Sequence, residues 1–153
     1  MLFFYFYLIS FSILGYGLLT ASILRINLYN FGCLGFLGIF FITTLSYLSS
    51  IFIPHGYIFN TLVIILGIVI FIILFKKIIN IKKELINYFI IFSTLALFII
   101  VSKNHDDFPY YHFPYIVLLT EHSHPIGLGQ LNNGFRNPSS IFFLSSIFYL
   151  PKN

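Results

Sequence analysis

The feature that most constrains this chain is a set of apolar runs, each about as long as a bilayer is thick. A hydrocarbon core of roughly 30 Å needs about 20 apolar residues per helical span. Four stretches meet that length: Leu2 to Leu24, Phe31 to Ile53, Tyr57 to Phe75 and Leu85 to Ser102. Within them the apolar residues follow neither a helical nor a strand period, so no water-facing stripe is left over. Only 8% of the 153 residues are charged, against about 25% in a soluble domain. The expected fold is an all-α, polytopic bundle of transmembrane helices.

The first run lacks a basic leader and a small-residue cleavage site, so it reads as a span and not as a removable signal. Pro54, His55 and Gly56 break the pattern between the second and third runs as a turn. A fifth apolar stretch, Ile141 to Leu150, is too short to cross alone. Residues 141–153 are read as the start of a further, truncated segment. The net charge of +4 comes mostly from Lys76, Lys77, Lys82 and Lys83 in one connection. That clustering argues for membrane topology and against a nucleic-acid surface. Arg25 lies in the connection that alternation puts on the same side, so both connections are expected to be cytoplasmic. The N-terminus and residues 103–140 are then extracytoplasmic. Cys33 is the single cysteine and cannot form an internal disulfide. Gly15, Gly17, Gly32, Gly35 and Gly38 supply small residues where helix backbones can approach closely, in ordinary bundle packing or at a dimer interface.

Most of the unusual polarity lies between Lys103 and Ser140. This stretch holds Asp106, Asp107 and Glu121, three of the four acidic residues, and four of the five histidines: His105, His112, His122 and His124. A connection this long is expected to be functional or disordered, and its aromatic and aliphatic content argues against disorder. Phe113 to Leu119 could lie as a short interfacial helix with tyrosines at headgroup depth. Asp106 and Asp107 directly follow the fourth span. A carboxylate there can serve as a general base on a hydroxyl, or simply cap a helix end in solvent. Arg136 could pair with it or hold a phosphate through its planar fork of donors. His105, Asp106 and His112, or Glu121, His122 and His124, could ligate a divalent metal. Their spacing matches no zinc pattern, so solvated histidines and no cofactor are the expectation.

The order Asp-Asp, Tyr-Tyr-His, then Gly-Leu-Gly-Gln-Leu-Asn-Asn-Gly-Phe-Arg-Asn-Pro-Ser-Ser resembles a region of large bacterial polytopic membrane proteins related to the GT-C glycosyltransferases. The resemblance covers His105 to Leu150. It implies a polyprenyl-phosphate sugar as donor, an envelope glycan or lipid as acceptor, and a location in the bacterial cell membrane. It implies that Asp106 or Asp107 is the catalytic base, with Tyr110, Tyr111, His112, Arg136 and Asn137 binding substrate. In that family the acidic loop follows the first span and the chains are several times longer. Here it follows the fourth, a departure from that pattern, and the shorter chain reads as a glycosyltransferase-like protein or as the N-terminal part of one. The competing expectation is a small non-enzymatic membrane subunit or transporter component.

Overall fold

A computed structural model of the chain describes residues 2–26, 30–78, 80–101, 106–123, 126–130, 133–136 and 139–150. Among the described residues every regular element is helical. The order is α1 (Leu2–Ile23), α2 (Phe31–Phe52), α3 (Tyr57–Leu74), α4 (Ile81–Val101), α5 (Phe113–Glu121) and α6 (Ser140–Phe148). The first four, with α3 continuing to Lys77 through a 3-10 turn, are long and apolar enough to cross a membrane. This is a multi-pass membrane protein.

Helix α4 begins at Ile81, four residues before the apolar run does, so Lys82, Lys83 and Glu84 occupy its first turn. The Asn80 carbonyl accepts the Lys83 and Glu84 N–H groups at 2.9 and 3.2 Å. Long lysine stems can lie along apolar surface while their heads reach water, so charge at a helix end does not stop the helix. Residues 141–148, read as part of a span, form the single short helix α6.

The chain divides into two units. The first comprises residues 1–41 and 64–103. Its helices meet backbone to backbone at glycines. A Cβ on Gly17 would strike the Leu34 carbonyl, one on Gly38 the Ile13 carbonyl, and one on Gly15 the Gly67 carbonyl. Close approach of this kind drives helix association in lipid, where apolar burial supplies little. Leu14, Leu18, Phe31, Leu34 and Tyr88 form the core. Phe11 packs between Phe71 and Tyr88, each ring centroid 5.1 Å away. The Tyr88 hydroxyl bonds Ser10 Oγ, and the Tyr7 hydroxyl bonds Ser93 Oγ at 2.7 Å.

The second unit comprises residues 42–63 and 104–153. One turn of π-helix, Phe108–His112, leads directly into α5. Pro109 stands at the first positions of the π turn, where a missing N–H costs nothing, and Pro114 stands where that turn passes into α5. Ser139 caps α6 by accepting the Ile141 N–H. Tyr115, Ile116 and Leu119 of α5 pack on Phe142 and Phe143 of α6, with Phe135 added from the segment between them.

Candidate functional site

Two polar features of the second unit stand out against its apolar surroundings. The first is a buried knot at the turn between α2 and α3. His55 is fully buried. Its N–H donates to the Leu119 carbonyl at 2.8 Å, tying the turn to α5. Its ring lies 2.6 Å (Nδ1) from Ser146 Oγ and 2.9 Å (Nε2) from Ser49 Oγ, and stacks on Phe59. Ser146 Oγ donates to the Phe143 carbonyl at 2.8 Å, while Ser49 Oγ is 3.2 Å from the Ser46 carbonyl. The shorter bond assigns the protons: Nδ1–H donates to Ser146, and Nε2 accepts from Ser49. Burial pushes the imidazole down to about 4, against the opposing pull of the Ser46 backbone. The ring is therefore neutral at pH 7, as this donor–acceptor assignment requires.

Asn60, also fully buried, sits beside it. Its Nδ2 lies 2.7, 2.7 and 2.6 Å from the carbonyls of His55, Ser146 and Tyr149. Two hydrogens serve three acceptors, so one bond is shared. Turning the amide over would aim Oδ1 at three carbonyl oxygens, which fixes its orientation even though Oδ1 itself has no partner among the described residues. Ser46 Oγ adds a bond of 2.5 Å to the Phe143 carbonyl, filling that oxygen's second lone pair.

The second feature is an open hollow of about 620 Å³ lined by residues from 127–130 and 133–136 together with Tyr115. Two 3-10 turns build its wall, Leu128–Gln130 and Asn133–Phe135. The glycines of the Gly-Leu-Gly stretch have distinct reasons to be there. Gly127 has φ of 87°, a backbone region that side chains disfavour. Gly129 lies so close to Arg136 that a Cβ would come within 3.1 Å of its Cα. Gln130, Asn133 and Arg136 offer amide and guanidinium groups to the hollow, and Tyr115 forms its floor. Tyr115 is held by Phe135 and Phe142, each ring centroid 5.3 Å away. Burial, with a smaller contribution from Tyr47, raises its phenol above the usual tyrosine range. It can donate a hydrogen bond but is a poor base.

Of the residues expected from sequence to carry chemistry, the structure brings Arg136 into the hollow with Tyr115, Gln130 and Asn133, which sequence reasoning did not single out. Asp106 and Asp107 do not line it. Asp106 is exposed, and Asp107 opens the π turn, its carbonyl accepting the Tyr110 and Tyr111 N–H groups at 3.2 Å. Tyr110 is exposed. Tyr111 and His112 turn their rings toward α6, with the His112 ring 5.1 Å from Phe142 and 4.2 Å from Tyr111. Glu121 and His122 are exposed at the end of α5. Asn137, His105 and His124 lie outside the described residues. Among the described residues no three metal-ligating side chains come together.

The hollow can thus hold an anion against one guanidinium and present amides to hydroxyl groups. A family model described as a domain of unknown function (DUF8201) matches residues 1–151. No curated protein and no solved structure matches the chain.

Proposed function

The chain belongs to the DUF8201 family, and we propose that this membrane protein handles a lipid-linked sugar, akin to the polyprenyl-phosphate-dependent GT-C glycosyltransferases. The observation that carries the reading is the hollow of about 620 Å³ whose polar groups include one arginine and two amides. Its volume falls in the range of small-molecule sites, roughly 300–1,000 Å³. Arg136 suits the phosphate because its fork can donate two parallel bonds. Gln130 and Asn133 suit sugar hydroxyls. In this reading the lysine-bearing connections face the cytoplasm. α5 lies in the opposite interface, and the hollow opens outside the cell toward an envelope glycan or lipid acceptor. One of Asp106 and Asp107 takes the acceptor's proton as its oxygen attacks the anomeric carbon and the lipid phosphate departs.

The test is binding and transfer by protein in lipid nanodiscs, with a radiolabelled polyprenyl-phosphate hexose. Arg136→Ala is expected to weaken binding at least tenfold, since a charge-assisted bond contributes about 1.5–3 kcal/mol. Replacing the essential aspartate by Asn is expected to cut transfer by about 10²- to 10⁴-fold. Unchanged binding by the Arg136 variant would remove the ground for the proposal. A second reading, a non-enzymatic membrane subunit, is favoured by the position of Asp106 and Asp107 away from the hollow's lining. Binding that depends on Arg136 without transfer, with both Asn variants unchanged, would select it.

A further inference from the structure

Away from the hollow, the first unit contains a cavity of about 380 Å³ between α1, α2 and α4. Ile13, Phe36, Ile39 and Ile91 give it apolar walls, and Glu84 and Asn87 stand among them. The inner polar pair is already satisfied, because the Ser10 and Tyr88 hydroxyls bond each other. Glu84 differs. Its Oε2 accepts the Phe31 N–H at 3.0 Å, at the start of α2, where Asn30 Oδ1 takes the Gly32 and Cys33 N–H groups at 2.7 and 3.3 Å. One carboxylate thus serves the positive ends of two helices. No hydrogen bond to its other oxygen and no ion pair is found among the described residues.

Lysines stand at the helix ends on the same side as Glu84, although none lines the cavity itself. Lys82 and Lys83 share the first turn of α4 with Glu84, and Lys76 and Lys77 end the 3-10 turn after α3, Lys77 reaching Ser22 Oγ at 3.3 Å. Lysines at helix ends mark the headgroup level of a bilayer. From Glu84 to Ile91 is seven residues, about 10 Å along a helix, most of one leaflet's roughly 15 Å of hydrocarbon. The cavity therefore has a charged mouth at the interface and an apolar shaft of chain-like length.

A glycine keeps the shaft open. Gly15, Gly17 and Gly38 are required by helix contact, but a Cβ on Gly35 would meet nothing within 4 Å. Gly35 lines the cavity, so helix packing gives no reason for its missing side chain, and space for an occupant does.

We propose that this cavity is a binding site for a phospholipid bearing a primary ammonium, of the phosphatidylethanolamine class. One acyl chain lies along Ile13, Ile39 and Ile91. The ammonium donates to Glu84 and Asn87, and the phosphate lies toward Lys83, one helical turn before Asn87. The pairing follows from charge: a carboxylate in the cavity with a lysine one position before it on α4 complements a head that carries an ammonium next to a phosphate. A choline head has no N–H to donate and an anionic glycerol head has no cation, so both bind less well.

The test is native mass spectrometry of the full chain released from micelles doped with phosphatidylethanolamine, phosphatidylcholine or phosphatidylglycerol of matched chains. The wild type is expected to retain the ethanolamine lipid at least about tenfold better than the choline lipid, as loss of one charge-assisted bond predicts. Glu84→Gln keeps an oxygen for the Phe31 N–H and should abolish that preference. Gly35→Leu fills the shaft and should displace all three lipids, with helical circular dichroism unchanged. Equal retention of ethanolamine and choline lipids by the wild type would overturn the proposal. So would a preference surviving in Glu84→Gln, or lipid retention undiminished in a folded Gly35→Leu. None of these variants touches the hollow, so their outcome is independent of the sugar-binding reading.

Discussion

Acid should loosen the second unit through one residue, His55. Its folded-state value is about 4 against an ordinary 6.5, so between those values the unfolded chain binds a proton that the folded chain refuses. Stability contributed by the neutral ring is fully present above pH 6.5 and is lost as pH falls toward 4. Each unit of difference corresponds to about 1.36 kcal/mol, which makes the whole effect about 3 kcal/mol, with about 2 kcal/mol already gone at pH 5. Protonation also breaks the bond pattern, because Nε2 can no longer accept from Ser49 and becomes a second donor. The assay is unfolding in detergent micelles followed by circular dichroism from pH 7.5 to 4, for the wild type and His55→Asn. Tryptophan emission cannot be used, since the chain has none. Other histidines and carboxylates titrate in both proteins, so the informative quantity is the difference between them. The wild-type advantage should be largest at pH 7 and shrink by about 2 kcal/mol at pH 5. A difference that stays flat over this range would refute the assignment of His55 as a buried neutral ring.

Asn60→Asp should destabilise the protein by about 3 kcal/mol or more, measured by the same melts. The change is nearly isosteric but sets oxygens against the three carbonyls of His55, Ser146 and Tyr149. Gly17→Ala should cost about 1–3 kcal/mol by overpacking against Leu34, while Gly35→Ala should leave the melting midpoint unchanged. For topology, with Cys33 replaced, cysteines at positions 77 and 83 should be shielded from an impermeant thiol reagent in intact cells. A cysteine at position 130 should be labelled, and the reverse pattern would invert the orientation.

The four long helices were legible because lipid demands unbroken apolar length, a property that survives in one dimension. The start of α4 was less legible. Lys82, Lys83 and Glu84 look like a connection by charge, yet a first helical turn at an interface tolerates all three. Gly15, Gly17 and Gly38 could be read as small contact residues, but Gly67 lies alone among Leu66, Ile68 and Val69 and matters only because Ser12, Gly15 and Tyr16 of α1 press against it. The polar knot was hidden for the same reason. His55 beside Pro54 and Gly56 reads as a turn, and its ring partner Ser146 lies 91 positions away. In the hollow, Arg136 was legible by its chemistry. Tyr115 was not, because an aromatic in an apolar stretch reads as packing until the wall above it is known. Asp106 and Asp107 were legible as carboxylates beyond a span, while their exclusion from the hollow's lining depends on where the π turn and α5 carry the chain.

The hollow and the knot share α5 and α6, and this bears on how any variant must be interpreted. Tyr115, the hollow's floor, lies one helical turn before Leu119, whose carbonyl takes the His55 N–H. Its ring packs on Phe142 and Phe143, and the Phe143 carbonyl is held by Ser46 and Ser146. The floor is thus fixed by backbone bonds to the knot, while Arg136 is exposed on the wall. Damage to the knot should therefore reach ligand binding through stability and through the position of the floor. Loss of Arg136 should reach binding alone. His55→Asn is expected to lower the melting midpoint and, in proportion, the apparent affinity for a polyprenyl-phosphate hexose. Adding a stabilising lipid or lowering the temperature should restore much of that affinity. Arg136→Ala should leave the melting midpoint within about 0.5 kcal/mol of wild type, as surface substitutions do, and no stabilising condition should restore binding. If instead both variants lose affinity and both recover it under stabilising conditions, the guanidinium has no direct contact with the ligand. The hollow would then be only the outer surface of a packed α5–α6 pair.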